Sequence, residues 1–471
     1  MKCDRRVGRQ VSARCGTPAA PGDIDSRRAV LKRGRLATAV AITAWTAWCV
    51  CFPVTSSAQT VAPDSLSVQQ AVQMAVSGHP AVTRARQALA AADEHVSTGR
   101  APYYPEVSLS GAYGRIDPVS TVQVGKASLQ IYPEDNYDVH LGLRQILYDF
   151  GRTTVSVDLA RSGRDAAAVS LEQVKWNLAY RTISVFDAIL ILRSNLSVLD
   201  EQIMALNRHR DVARRQVQAG TSTEFDVLTT EVRIAAAQSE RIDVANALES
   251  QEIQFRELTG LGSQEPVLLK GEFSSAALRL DPDSLLKEAS RQRPELAAAR
   301  AAENSASIQS HLSSLGMRPS LTANLTSGFK NGYYPDLNLL KANLFAGVQA
   351  NVPLFDGRRT RGQTREAQAA LLAAKAHTQD LEREVATEVE QAIAGAEASQ
   401  RKIQSAELQV VQAQQAVSMA QARYQAGVAT NLDVLDAQTA LTQASLNRLR
   451  SLYNYTVGLA ALDRATGKRV W

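Results

Sequence analysis

The chain has 471 residues, a formal net charge of +5 and an aromatic content of 5%. Its first 58 residues hold 10 Lys and Arg against 3 Asp and Glu, which leaves 42 against 44, a net charge of −2, for the remainder. The basic charge therefore belongs to the leader and does not indicate a nucleic-acid partner. All four cysteines lie in those 58 residues, which excludes disulfides and thiolate metal sites downstream. The low aromatic content favours long helices.

The leader combines a basic segment with an apolar one. "KRGR" at 32–35 precedes the apolar run 36–54, and the small residues of "TSSA" follow before Gln59. This order is typical of a secretory signal. We predict a signal peptide over 1–58 with a long basic N-terminal region, cleaved before Gln59. An uncleaved anchor is the alternative, because the run is almost long enough to span a bilayer; Pro53 favours cleavage.

The rest of the chain carries one pattern twice. "QAGTSTEFDVL" at 218–228 returns as "QAGVATNLDVL" at 425–435, and "LYDFGR" at 147–152 returns as "LFDGR" at 354–358. A long internal repeat indicates two copies of one structural unit. We predict a first repeat over 59–264, a linker over 265–283 and a second repeat over 284–471. Each repeat should hold a short helix, two strands, a long helix, a glycine turn and a returning helix.

Four strands are expected, two in each repeat. Apolar and polar residues alternate in them with the period of a strand, and each run has about ten residues, the length of a transmembrane β-strand. Tyrosine and phenylalanine collect near their ends, as at a membrane interface. Four strands cannot close a barrel, and open edges cannot lie in lipid, so several chains must share one barrel. The spacing alone does not decide between a dimer and a trimer. The strands are predicted at about 106–116, 138–148, 320–329 and 343–355.

The long helices carry heptad seams. Apolar residues recur at every seventh position from Leu171 to Leu206 and from Val389 to Tyr424, which is the pattern of a coiled coil. The long helix from 152 to 217 would measure about 100 Å, and the returning helix from 223 to 259 together with the short helix from 284 to 316 would match that length. These lengths predict a helical wall tall enough to cross a periplasm, with the linker bulging out where the short helices meet.

The repeated unit, the strand-to-helix junctions and "ARYQAGVATNLDVLDAQTAL" together resemble the TolC-like family of outer-membrane channels over nearly the whole mature chain. The resemblance implies a mainly α fold with a membrane β-barrel portion, in which a homotrimer forms a twelve-stranded β-barrel that continues into a twelve-helix periplasmic α-barrel. It also implies location in the outer membrane, in contact with its lipid. The implied partners are a periplasmic adaptor and an inner-membrane pump.

The resemblance also assigns roles at the repeated turns. Gly220 and Gly427 would be the hairpin tips where an adaptor docks, and both need a positive φ. Asp433 and Asp436 are spaced to share one helix face, and three copies would place six carboxylates around a pore constriction. The alternative for these carboxylates is a helix N-terminal role that complements the macrodipole.

Closed relatives join their inner and outer hairpins through a tyrosine, an arginine and an aspartate. Tyr424 and Asp226 match two of these gating positions, but Ala429 replaces the arginine. We therefore expect a closed state held by fewer contacts.

Other functions fit the sequence less well. No motif of a nucleophilic hydrolase, dinucleotide site or phosphate loop occurs, and the six histidines form no zinc-ligand pair, so no catalytic residue, metal or cofactor is expected. A soluble periplasmic adaptor would lack lipid-facing strands. Within transport, the absence of cysteine after residue 58, and with it an acylated N-terminus, favours protein export beside an inner-membrane ABC transporter in type I secretion, of a repeat-containing toxin or protease. Small-molecule efflux is the alternative.

Overall fold

The computed structural model describes residues 65–273 and 281–471. The predicted signal peptide, its cleavage site and positions 274–280 of the predicted linker lie outside the described residues. Eight α-helices, two three-residue 3₁₀ helices and six strands occur in the described ranges. In chain order the α-helices and strands are α1 (Val68–Gly78), α2 (Pro80–Arg100), β1 (Glu106–Arg115), β2 (Thr121–Val124), β3 (Ala127–Gln130), β4 (Asp135–Tyr148), α3 (Arg152–Gln218), α4 (Glu224–Thr259), α5 (Pro282–Gln292), α6 (Pro294–Ser314), β5 (Ser320–Lys330), β6 (Lys341–Asn351), α7 (Arg359–Gln425) and α8 (Asn431–Thr466).

The helices repeat in length as well as in order. α1 and α5 each have 11 residues, α2 and α6 have 21, α3 and α7 have 67, and α4 and α8 have 36. The predicted single helix over 284–316 is wrong in one respect, because it is broken between α5 and α6, as α1 is broken from α2. The break follows from Pro294 and Pro80, which disfavour helical backbone in the preceding residue: the ψ angles of Arg293 and His79 are 119° and 133°.

The long helices form a wall in which α3 has neighbours on both sides. It packs against α2 and α6 in one half of its length and against α4 and α8 in the other, while α7 packs against α6 and α8. The predicted heptad seam is buried at Leu171, Leu178, Val185, Leu199 and Leu206. α3 is also the one helix of the described ranges that is long and apolar enough to cross a membrane by length and composition. Five of its apolar residues are buried in a core with α1 and α4: Leu171, Leu178, Val185, Phe186 and Ile189.

Each long helix begins at the same kind of junction after a strand. The Asp149 carboxylate accepts a hydrogen bond from the Thr153 N–H at 2.7 Å, and the Asp356 carboxylate accepts one from the Thr360 N–H at 2.8 Å. These contacts satisfy amide groups that have no partner within the helix. The "LYDFGR" and "LFDGR" motifs therefore direct the chain out of the sheet and into the wall.

The sheet confirms the four predicted strands and adds a hairpin. β1, β4, β5 and β6 are antiparallel neighbours in that order, while β2 and β3 form a separate two-stranded sheet. This second hairpin was not predicted; its strands have four residues each, joined by a turn with Gly125 at a φ of +67°. The predicted strand 343–355 is too long, since β6 ends at Asn351. Pro353 lacks the N–H that a longer ladder would need.

One face of the four-stranded sheet is apolar. Leu109 lies opposite Leu141 in the β1–β4 pair, and Ser327 of β5 lies between Leu141 and Leu344 of β6. The three leucines are 76%, 54% and 71% exposed in the single chain. The opposite face carries polar residues, among them Ser110, His140, Gly328 and Asn343, which face one another in successive strands. The predicted alternation is confirmed, and its apolar face has no partner within the described chain.

The described part of the predicted linker 265–283 is attached to the wall. Leu66 donates a backbone hydrogen bond to Leu268 at 2.7 Å and accepts one from Lys270 at 2.9 Å. Val267 is buried with Phe186 of α3 in the core. The start of the linker is therefore fixed to α3 beside the start of the described chain.

Candidate functional site at the hairpin tips

The turns that join α3 to α4 and α7 to α8 have the same backbone structure. Gly220 and Gly427 have φ angles of +73° and +72°, as the sequence predicts. After each glycine the next N–H reaches back to close the helix: Thr221 to the Gln216 carbonyl and Val428 to the Arg423 carbonyl, both at 2.9 Å. This pairing is a Schellman ending, which a glycine in the left-handed region makes possible.

The returning helices begin with matching capping boxes. The Asp226 carboxylate accepts hydrogen bonds from the N–H and hydroxyl of Thr223 at 3.2 and 2.9 Å. The Asp433 carboxylate accepts the same pair from Thr430 at 2.7 and 2.8 Å. These contacts and the N-terminal macrodipole stabilise the start of both helices. Asp226 and Asp433 therefore have a structural role in the single chain, whatever they contribute to a pore.

Asp433 and Asp436 are both exposed on α8, one turn apart. Hydrogen bonds from the backbone and side chain of Thr430 lower the pKa of Asp433, so it is ionised at neutral pH. Asp436 lies 4.0 Å from the Arg233 guanidinium of α4. This ion pair is exposed and contributes little to stability. The two carboxylates thus share a solvent-facing helix face, while their predicted pore role concerns an assembly of several chains.

Beneath the turns, four helices meet at a buried polar cluster. His209 of α3, Tyr424 of α7 and Asn431 of α8 are 6%, 7% and 5% exposed. The His209 Nε2 atom lies 2.6 Å from the Asn431 Oδ1 atom, and the Asn431 Nδ2 atom donates to the Asp226 carbonyl of α4 at 3.1 Å. The rings of His209 and Tyr424 are 5.1 Å apart between centroids. We call these four residues the tip cluster.

The tip cluster contains both predicted gating residues and two that were not predicted. Tyr424 and Asp226 belong to it, and their gating role stays a prediction, while His209 and Asn431 were missed. His209 follows Leu206 by three residues, so extending the heptad seam would have placed it on the buried face. Asn431 could have been identified only from a weaker signal, namely that it directly follows Thr430, the N-cap residue of α8.

Burial and hydrogen bonding together set the ionisation of the tip cluster. Desolvation lowers the pKa of His209, against the opposing effects of the Asn431 hydrogen bond and the Asp226 charge. Burial alone would raise the pKa of Asp226, but the hydrogen bonds from Ser222 and Thr223 outweigh it, so that pKa is lowered. Burial also raises the pKa of Tyr424. At neutral pH the cluster therefore holds a neutral histidine, a neutral phenol and an ionised aspartate.

The model of one protein family, described as "Outer membrane efflux protein", matches residues 71–261 and 285–468. The chain belongs to this family. The two matched segments correspond to the two structural repeats and leave out the whole of the predicted linker 265–283. The family assignment places the chain in the outer membrane with an extension into the periplasm. Members of this family are channels rather than enzymes, and they work with an adaptor and an inner-membrane pump.

Individual relatives support the family assignment at low identity. The chain is 24% identical to "Outer membrane protein TolC" of Vibrio cholerae over 387 residues, which are 80% of this chain and 85% of that protein. It is 26% identical to "Alkaline protease secretion protein AprF" of Pseudomonas aeruginosa over 369 residues, 74% of each chain. The crystal structure of the outer membrane protein VceC from Vibrio cholerae has a TM-score of 0.71 at 21% identity, over 85% of this chain and 96% of that one. This similarity shows the fold and confirms the predicted mainly α architecture.

Proposed function

We propose that the chain is the outer-membrane exit duct of a type I secretion system, working as a homotrimer with a periplasmic adaptor and an inner-membrane ABC transporter. The observation that supports the role of a duct is an open-edged sheet with one apolar face, joined directly to a helical wall about 100 Å long. The sheet provides the part in lipid and the wall the part that crosses the periplasm.

The sheet edges support assembly from several copies. β1 and β6 are the two edges of a four-stranded antiparallel sheet. With an even number of strands, β6 runs opposite to β1, so the β6 edge of one copy can pair with the β1 edge of the next in antiparallel register. Unpaired backbone groups in lipid would cost several kcal/mol each. Three copies would give the twelve-stranded barrel that the family resemblance implies.

The edges of the helical wall support the same closure. Val232, Ile242 and Ile253 of α4 are more than half exposed, as are Leu372 and Leu408 of α7. α4 and α7 are on opposite sides of the wall, since α3 and α8 lie between them. In a closed ring, α7 of one copy would pack against α4 of the next and cover these side chains. Four columns of helix in each chain would then give twelve in the trimer.

Protein export is favoured over efflux on two grounds. AprF, named for alkaline protease secretion, is similar along 74% of this chain. The chain after residue 58 has no cysteine, so it has no thiol for N-terminal acylation. The cargo would be a polypeptide such as a repeat-containing toxin or protease. The second candidate is the outer-membrane component of a small-molecule efflux pump, which the family's description favours.

At the periplasmic end, we propose that the turns at Gly220 and Gly427 dock the adaptor and that Asp433 and Asp436 line the constriction. Both carboxylates are exposed, and Asp433 is ionised at neutral pH. Three copies would place six negative charges around one aperture, which would attract cations. Tyr424 and Asp226 would act in gating through the tip cluster.

Two experiments test this proposal. Cross-linking of the purified protein in mild detergent should give trimers, and products limited to monomers and dimers would contradict the assembly. Deletion of the gene should abolish export of a large secreted polypeptide, and the plasmid-borne gene should restore it. Normal export with increased drug sensitivity would instead support the efflux candidate.

A further inference from the structure

His209 makes a hydrogen bond whose direction the structure defines. The Asn431 amide nitrogen donates to the Asp226 carbonyl at 3.1 Å, so the Asn431 oxygen faces His209 and must accept. The His209 Nε2 atom, 2.6 Å away, therefore carries a hydrogen. This assigns the neutral Nε2–H tautomer, and a second proton would place a positive charge at a site that is 6% exposed.

The groups that face His209 come from three other helices. α4 provides Asp226, α7 provides the Tyr424 ring and α8 provides the Asn431 amide. Asp226 is the charged one, and its carboxylate is already bound to Ser222 and Thr223. Its attraction for a protonated His209 is weaker than the cost of burial, since the pKa of His209 is lowered. The closed arrangement therefore disfavours the imidazolium.

We propose that His209 makes the closure of the hairpin tips pH-sensitive: it is a latch that holds α3 to α8 when neutral and releases them when protonated. The inference rests on the proposed function in that the tips form the closable end of a duct. It assigns to this chain a contact that replaces the arginine link missing at Ala429. Separation of the tips would expose His209 to water and allow its protonation.

The direction of the effect follows from linkage. With the tips closed, the pKa of His209 lies below its ordinary value, whereas in separated tips it returns to about 6.5. The closed state therefore binds the proton more weakly, and its stability is lost as the pH falls towards the lowered pKa. Each unit of difference between the two pKa values shifts the equilibrium tenfold towards separation at low pH.

Other groups that titrate in the same range can be separated from His209. Asp226 and Asp433 have lowered pKa values, so both stay ionised from pH 7.5 to about 5.5. Asp187 of α3 has a pKa raised to about 7 by burial and does titrate there. It lies 22 residues before His209 on the same helix, a distance of about 33 Å. It therefore provides a control for titration elsewhere in the wall.

The test measures the separation of the tips directly. Phe225 and Val428 are 74% and 64% exposed at the two turns, and residues 59–471 contain no cysteine. Nitroxide labels would be attached to the cysteines of a chain that carries both Phe225→Cys and Val428→Cys. Pulsed electron paramagnetic resonance would then measure the distance between the two hairpins. Labelled chains would be diluted with unlabelled ones in the assembled protein. The separated population should increase several-fold from pH 7.5 to about 5.5.

Three variants assign the response. His209→Gln retains an N–H donor for Asn431 without a titratable ring and should abolish the increase. Asp187→Asn and His377→Gln, the latter at an exposed position of α7, should leave it unchanged. The latch is refuted if the parent shows no increase, if His209→Gln keeps it, or if Asp187→Asn removes it.

Conductance in planar bilayers separates failure of the latch from failure of the duct. Absence of pores at every pH would refute the proposed duct, while the distance measurement would still test the latch. Pores whose conductance responds to pH equally in the parent and His209→Gln would refute the latch and leave the duct intact.

Discussion

Alanine at Gly220 and Gly427 should loosen both hairpin tips. An L-residue in the left-handed region costs about 1–2 kcal/mol, and both glycines have φ angles above +70°. An added Cβ meets no atom within 4 Å at either position, so the cost comes from the backbone and not from a clash. The smaller entropy of the unfolded alanine chain offsets about 0.4–1 kcal/mol. The net effect is about 1 kcal/mol per turn, which corresponds to about fivefold more frequent local opening.

Hydrogen exchange measured by mass spectrometry can detect this opening. The reporter amides are those of Thr221 and Val428, each of which closes a turn at 2.9 Å, and their exchange should accelerate about fivefold. Gly163→Ala is the matched control, since Gly163 lies within α3 and an added Cβ there also meets no atom within 4 Å. That change should stabilise the helix by about 0.5–1 kcal/mol. Unchanged exchange at the two turns, or acceleration in the control as well, would refute the argument from the φ angles.

Three other outcomes are expected. Asp433→Ala together with Asp436→Ala should remove cation selectivity in planar bilayers without loss of the trimer, and unchanged selectivity would leave Asp433 with its helix-capping role and Asp436 with its exposed ion pair to Arg233. Leu344→Lys, on the apolar sheet face, should destabilise the membrane-inserted protein by about 2–4 kcal/mol if the position lies near the bilayer midplane, whereas Gln349→Lys on the polar face should be tolerated; equal stability of the two variants in urea titrations would contradict the assignment of faces. N-terminal sequencing of outer-membrane material should begin near Gln59, and a start well before residue 50 would support the anchor instead.

The periodic elements of this chain were predictable because their signals are repeated many times along the sequence. The heptads of α3 and the alternation in the strands each span several repeats of their period, so single exceptions such as the partly exposed Leu192 do not obscure them. Prolines marked two boundaries that were nevertheless missed, the breaks before Pro80 and Pro294. In the second repeat the predicted helix 284–316 ran through Pro294 because its length helped to match that of the long helix, and the local restriction on the residue before proline prevailed.

The β2–β3 hairpin and the tip cluster were not predicted, for different reasons. Strands of four residues are too short to show a period. The tip cluster depends on which helices become neighbours: His209 and Asn431 are 222 positions apart, and they meet because α3 lies beside α8. A polar residue in a heptad seam has no partner that the sequence can identify until the order of helices in the wall is known.

The tip cluster shows how a duplicated chain can have two tips that are not equivalent. Both turns share the glycine, the N-cap threonine and the capping aspartate, so each hairpin can close by itself. The residues that differ between the copies are the ones that connect them: His209 of the first hairpin meets Tyr424 and Asn431 of the second. Since the equivalent of Asn431 in the first copy is Glu224, which is exposed, the contact cannot form in reverse. Closure of the end is therefore an interaction between unlike hairpins, and a single protonation at His209 is sufficient to weaken it.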